Sequence, residues 1–119
     1  MGRSVVVQAR AGLADWVGDV LAGEGIETIR AEDGLDAVRL AAIIDPDLVV
    51  VDLTLPPLDG WCVLAALGNE RSGRRPEIVV RVADHGQAER ALRLGADAWA
   101  AADAQVVGAA GRLLTAIAA

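Results

Sequence analysis

Asp52 is the side chain whose type and position point most directly to chemistry. It lies near the end of a predicted strand, residues 47–53, that is almost wholly apolar, and a carboxylate there is costly unless it meets a cation or water. One interpretation is that this acid belongs to a functional site. The alternative is a functionless acid that is already exposed in a loop.

Five short apolar runs alternate with five helical stripes, and their short connections predict parallel strands of an α/β fold with right-handed crossovers. Strands are predicted at 4–7, 26–29, 47–53, 76–82 and 97–100, and helices at 13–22, 35–44, 61–67, 87–94 and 103–117. Ligands of such sheets bind at the carboxyl ends of the strands. The residues to inspect there are Gln8, Ala9, Arg10, Arg30, Asp52 to Thr54, Val82 to Asp84, and Ala100 to Asp103.

Length and composition limit the class of protein. A chain of 119 residues predicts one domain, residues 1–119, and a net charge of -6 argues against nucleic acid or an anionic membrane as a partner. One cysteine and one histidine cannot form a usual zinc site. We interpret Cys62 as a buried apolar residue and His85 as a solvated loop residue. The single cysteine, with no signal peptide or membrane span predicted, indicates a cytoplasmic protein.

Three segments resemble one known family. Residues 49–60 (VVVDLTLPPLDG) resemble the phosphoacceptor segment of bacterial response-regulator receiver domains, and residues 23–37 and 95–99 are similar to that family's second strand with its helix start and to its fifth strand. The resemblance implies a flavodoxin-like three-layer sandwich with a five-stranded sheet in the order 2-1-3-4-5. It also implies phosphorelay signalling with Asp52 as phosphoacceptor, Mg²⁺ as cofactor, and Trp99 at the aromatic switch position.

The chain departs from the family's pattern at the side chains that make such a site work. Gln8 and Ala9 stand at the acidic pair, Val82 at the hydroxyl, and Ala102 at the lysine, while all eleven basic residues are arginines. Thr54 is counted with these altered positions. Magnesium prefers carboxylate and water ligands, so we expect no metal cofactor despite the resemblance.

Arg10 is the predicted counter-ion of Asp52, because it directly follows the altered acidic pair. Arginine holds carboxylates bidentately and stays charged, so it could replace the missing cation. Arg81 is a weaker candidate for the same role. The alternative is that both arginines extend into solvent.

The leading hypothesis is an atypical receiver domain that has no catalytic turnover and acts as a phosphorylation-independent protein-interaction module. Its partners would be a histidine kinase or an effector domain, and a homodimer could form through the fourth helix, fifth strand and fifth helix. One rival is an active Mg²⁺-dependent phosphoacceptor at Asp52. A second rival is a domain that senses a small ligand at the altered strand ends.

Overall fold

Strands and helices alternate strictly in the computed structural model, which describes residues 3–55, 59–68 and 75–118. The strands are β1 (Ser4–Gln8), β2 (Glu27–Arg30), β3 (Leu48–Asp52), β4 (Glu77–Arg81) and β5 (Ala98–Ala100). The helices are α1 (Ala11–Ala22), α2 (Gly34–Ile44), α3 (Asp59–Gly68), α4 (His85–Arg93) and α5 (Asp103–Ala118). Within these ranges, no helix has the length and apolar character needed to cross a bilayer.

The five strands form one parallel sheet in the order β2-β1-β3-β4-β5, which confirms the predicted topology. All five residues of β3 are buried, as expected for the middle strand of a parallel sheet with both faces covered. Since β1 and β4 flank β3, the loops that follow these three strands converge at one edge of the sheet.

Helices cover both faces of the sheet. Val50 and Val79 pack with α1 and α5 on one face, whereas Val49 and Val51 pack with α2, α3 and α4 on the other. This is the flavodoxin-like three-layer sandwich that the resemblance implied. Because successive strand residues point to opposite faces, Asp52 lies on the same face as Val50, beside α1 and α5.

The start of α4 differs from the prediction in a way that matters for the surface around Trp99. Helix α4 begins at His85 rather than at residue 87, because the carboxylate of Asp84 accepts a hydrogen bond from the Gln87 N–H at 2.8 Å and caps the helix earlier. His85 is therefore helical and does not lie in a loop. Of the loop predicted at 56–60 and the turn predicted at 68–73, the structure describes only Asp59, Gly60 and Gly68, and all three belong to α3.

The prediction for Cys62 is wrong, because its side chain is exposed and is not part of the core. The buried face of α3 is formed by Gly60, Val63 and Leu64. Cys62 falls between these positions on the helix and so points away from the sheet.

Candidate functional site

The carboxylate of Asp52 is the centre of a polar cluster at the carboxyl edge of the sheet. Asp52 is the last residue of β3, and its side chain has no exposed surface. A carboxylate in that position requires hydrogen-bond donors at both oxygens to offset its desolvation. The loops after β1 and β3 provide them.

Thr54 and Arg10 together satisfy both oxygens of Asp52. The backbone N–H of Thr54 donates to Oδ1 at 3.0 Å, and its hydroxyl donates to the same oxygen at 2.5 Å. Arg10 Nε donates to Oδ2 at 3.0 Å. The structure therefore brings Arg10 and Asp52 into direct contact and encloses the carboxylate from two sides.

Arg10 is placed for this contact by the start of α1. It is the N-cap residue, and its carbonyl oxygen accepts the Ala14 N–H at 2.9 Å, which anchors the backbone just beyond β1. The β1 and β3 strands are direct neighbours in the sheet. A long side chain that leaves the end of β1 thus reaches the end of β3, although its own surface remains 45% exposed.

Two further charges extend the cluster. Asp103, the first residue of α5, accepts hydrogen bonds at Oδ1 from Arg10 Nη2 at 2.7 Å and from Arg81 Nε at 3.1 Å. Arg81 also donates from Nη1 to the Val82 carbonyl at 2.6 Å. We call Asp52, Arg10, Asp103 and Arg81 the charged network; its two carboxylates and two guanidiniums balance.

The electrostatics of the charged network favour an ionised Asp52. Burial alone would raise the pKa of this carboxyl group, but the hydrogen bonds from the Thr54 hydroxyl, from Arg10 and from the Thr54 N–H outweigh it, so the pKa lies below its ordinary value. The same hydrogen bond to Asp52 raises the pKa of Arg10. Arg10 and Asp52 therefore stabilise each other in their charged forms.

This lowered pKa predicts an acid-dependent contribution to stability. The folded-state pKa of Asp52 lies below its unfolded value of ~3.9, so the contribution is complete well above that value and disappears as the pH falls through the folded pKa. We expect the difference in free energy of unfolding between the native chain and Asp52→Asn to shrink as the pH is lowered from about 5 to about 3. Urea titrations of both proteins at each pH measure this difference, and a pH-independent difference would contradict it.

The residues at the altered positions Gln8, Ala9, Val82 and Ala102 do not join the charged network. Ala9 and Val82 are buried in the apolar layers, and Ala102 is exposed. Gln8 is only 3% exposed, and its Oε1 has no hydrogen-bond partner among the described residues. Asp52 and Arg81 are register partners, yet Arg81 bonds to Asp103 instead. Asp103 is among the strand-end residues that the sequence singled out, but its bonds to two arginines were not predicted.

Trp99 lies outside the charged network, on the surface formed by α4, β5 and α5. Its side chain is 37% exposed, and its ring meets that of His85 edge-on with centroids 5.2 Å apart. Arg90 of α4 lies over the ring of Trp61 in α3, 4.8 Å from the ring centroid, a distance at which cations attract aromatic faces. Helix α4 is thus in contact with an aromatic ring near its start and near its end.

A five-stranded parallel sheet in this order, with an aspartate at the end of its middle strand, is the arrangement that the resemblance to receiver domains implied. The family model for the response regulator receiver domain matches residues 5–100. The chain belongs to this family and is a receiver domain of two-component signalling.

Known proteins support the assignment. The chain is 36% identical over 83 residues to the polar-differentiation response regulator DivK of Brucella ovis, which covers 68% of each chain. It is 39% identical over 75 residues to protein-glutamate methylesterase/protein-glutamine glutaminase 5 of Myxococcus xanthus, matching 61% of this chain but only 22% of that protein's length. The signal receiver domain of a response regulator from Bermanella marisrubri has the same fold, with a TM-score of 0.81, 22% identity and coverage of 96% of this chain and 99% of that one.

The residues around Asp52 do not fit the magnesium ion that the resemblance to the family implied. Both oxygens of Asp52 already accept hydrogen bonds, one of them from a guanidinium. In the part of the chain that the structure describes, no three His, Cys, Asp or Glu side chains are grouped to hold a metal ion. Gln8 and Ala9 contribute a buried amide and a methyl group where hard oxygen ligands are required.

Proposed function

We propose that this receiver domain signals without phosphorylation, as a protein-interaction module whose Asp52 carboxylate is covered by Arg10 in the folded chain. The observation that carries the proposal is the state of Asp52, which has no exposed surface and has both oxygens engaged. A phosphodonor must approach one of those oxygens directly. Arg10 stands in the way of that approach at Oδ2, and Thr54 occupies Oδ1.

Electrostatics support the same conclusion. Phosphoryl transfer requires cations that neutralise the charge on the transferred group. The side chains at the lysine and hydroxyl positions are those of Ala102 and Val82, and neither can supply a charge or a hydrogen bond. The cation nearest to Asp52 is Arg10, and it is already hydrogen-bonded to both Asp52 and Asp103, so it is not free to neutralise an incoming phosphoryl group. Such a site is not expected to turn over or to recruit Mg²⁺.

The interaction surface that we propose is the face of α4, β5 and α5 around Trp99. Trp99 offers exposed aromatic surface there, beside His85, and aromatic side chains commonly anchor protein interfaces. The partner would be a protein such as a histidine kinase, an effector domain or a second copy of the chain. The acidic net charge of -6 disfavours nucleic acid, and the unpaired Cys62 suits the reducing cytoplasm.

The proposal predicts that a small phosphodonor leaves the chain unmodified. After an hour with acetyl phosphate and Mg²⁺, the intact mass is expected to be unchanged, while a receiver domain with the acidic pair and lysine gains a phosphoryl group under the same conditions. Tryptophan fluorescence is expected to stay constant in a titration with Mg²⁺ alone. A stoichiometric mass increase that is absent in Asp52→Asn would establish the active phosphoacceptor instead.

A further inference from the structure

Asp103 is the residue at which the two arginines of the charged network meet. Its Oδ1 accepts from both Arg10 Nη2 and Arg81 Nε, and its side chain is 29% exposed. Arg81 is less exposed, at 19%, and is further fixed by its bond to the Val82 carbonyl. Besides its bond to Arg10, Asp103 is therefore held by Arg81 of β4 and by its place in the first turn of α5.

Arg10, in contrast, depends on its two carboxylate partners. A guanidinium group is rigid and planar. In Arg10, Nε donates to Asp52 and Nη2 donates to Asp103. Nearly half of the side chain is exposed, so packing alone does not hold it in place. With Asp103 neutral, a single charged hydrogen bond would remain to keep this flexible side chain over the acceptor.

We propose that Asp103 is a positioning residue that holds Arg10 over Asp52, so that the acceptor is gated from the start of α5. The proposal rests on the proposed function, in which Arg10 covers the acceptor. In a complete receiver site, the acceptor controls the output face. In this chain the proposed control has the opposite direction: a partner whose cationic side chain draws Asp103 away uncovers Asp52.

The test measures the reactivity of the Asp52 carboxylate directly. A carbodiimide and an amine label accessible carboxylates, and mass spectrometry of the tryptic peptide between Arg39 and Arg71 compares Asp52 with the exposed Asp45 on the same peptide. In the native chain we expect Asp52 to be strongly protected relative to Asp45. In Asp103→Asn we expect its labelling to rise about tenfold, the ratio that ~1.4 kcal/mol represents.

Two further variants separate positioning from general loosening of the structure. Asp103→Glu keeps the charge and should restore most of the protection, whereas Asp36→Asn, which removes the partner of Arg39 in a surface ion pair on α2, should leave Asp52 protected. The NMR signal of Arg10 Nε–H provides a second measurement. It should exchange slowly with solvent in the native chain and in Asp103→Glu, and rapidly in Asp103→Asn.

The outcomes separate the positioning role of Asp103 from the protection of Asp52 by Arg10. One outcome is that Arg10→Gln raises the labelling of Asp52 while Asp103→Asn changes neither the labelling nor the Arg10 Nε–H exchange. In that case Arg10 protects Asp52 without help from Asp103, and the positioning role of Asp103 is disproved. If Arg10→Gln also leaves the labelling of Asp52 unchanged, Arg10 does not protect Asp52, and the proposed function fails as well.

Discussion

Replacing Arg10 with alanine is expected to lower the free energy of unfolding by about 2–3 kcal/mol at pH 7. The substitution leaves a carboxylate without exposed surface that has donors from Thr54 alone. The loss is modest for a broken buried pair because Arg10 is itself 45% exposed, so water enters the space that it leaves. Urea unfolding of the purified variant measures the change.

A double-mutant cycle assigns that loss to the contact between the two residues. Asp52→Asn should be destabilising by itself, and the double variant should be more stable than the sum of the two single changes predicts, by about 1 kcal/mol or more. Arg39→Ala, which removes an exposed arginine from its ion pair with Asp36, is the control and should change stability within experimental error. Strict additivity of Arg10→Ala and Asp52→Asn would rule out a direct interaction.

Replacing Gly95 with alanine is expected to cost at least about 3 kcal/mol of unfolding free energy. Gly95 connects α4 to β5 with a φ of 109°, a conformation that alanine adopts only under strain. A Cβ there would also lie 2.6 Å from the carbonyl carbon of Gly68 at the end of α3. Both segments are backbone, so neither can move aside without disturbing the turn that leads into the strand carrying Trp99.

Gly111→Ala is the matched control for that substitution. Gly111 lies within α5, and a Cβ at this position would meet no atom within 4 Å. Alanine is the better helix former, so this variant should be stabilised by about 0.5–1 kcal/mol. Thermal or urea unfolding of both variants tests the pair, and equal stabilities would show that the contact between Gly95 and Gly68 is not tight in solution.

The fold could be predicted because its signals are local. The apolar runs of β1, β3 and β4 and the helical stripes between them identify the layers without any long-range information. The start of α4, which a cap decides, was predicted too late. Asp84 begins α4 two residues earlier than predicted by accepting one hydrogen bond from the Gln87 N–H. The spacing of Asp84 and Gln87 is a known N-cap pattern, so the signal for this boundary was present in the sequence.

The contact between Arg10 and Asp52 could be predicted, because it follows from the order of the strands. Arg10 follows β1 and Asp52 ends β3, and neighbouring strands place these residues together. The role of Asp103 was not predictable, because it depends on where α5 begins relative to β1, 93 positions earlier in the chain. Arg81 shows the same limit: its register partner is Asp52, but the direction of its side chain depends on the position of α5.

Arg10 pairs with the carboxylate that faces an exchangeable cation in a complete receiver site, and it differs from that cation in being covalently attached. A metal ion and a phosphoryl group each have a concentration and a lifetime in which a signal can be encoded. The guanidinium of Arg10 cannot vary in this way, since its attachment to the backbone fixes its local concentration. Under the proposed function, information enters through the abundance of the chain relative to its partner, because occupancy of an interface follows mass action. The duration of such a signal is then governed by synthesis and degradation of the protein rather than by hydrolysis of an acyl phosphate.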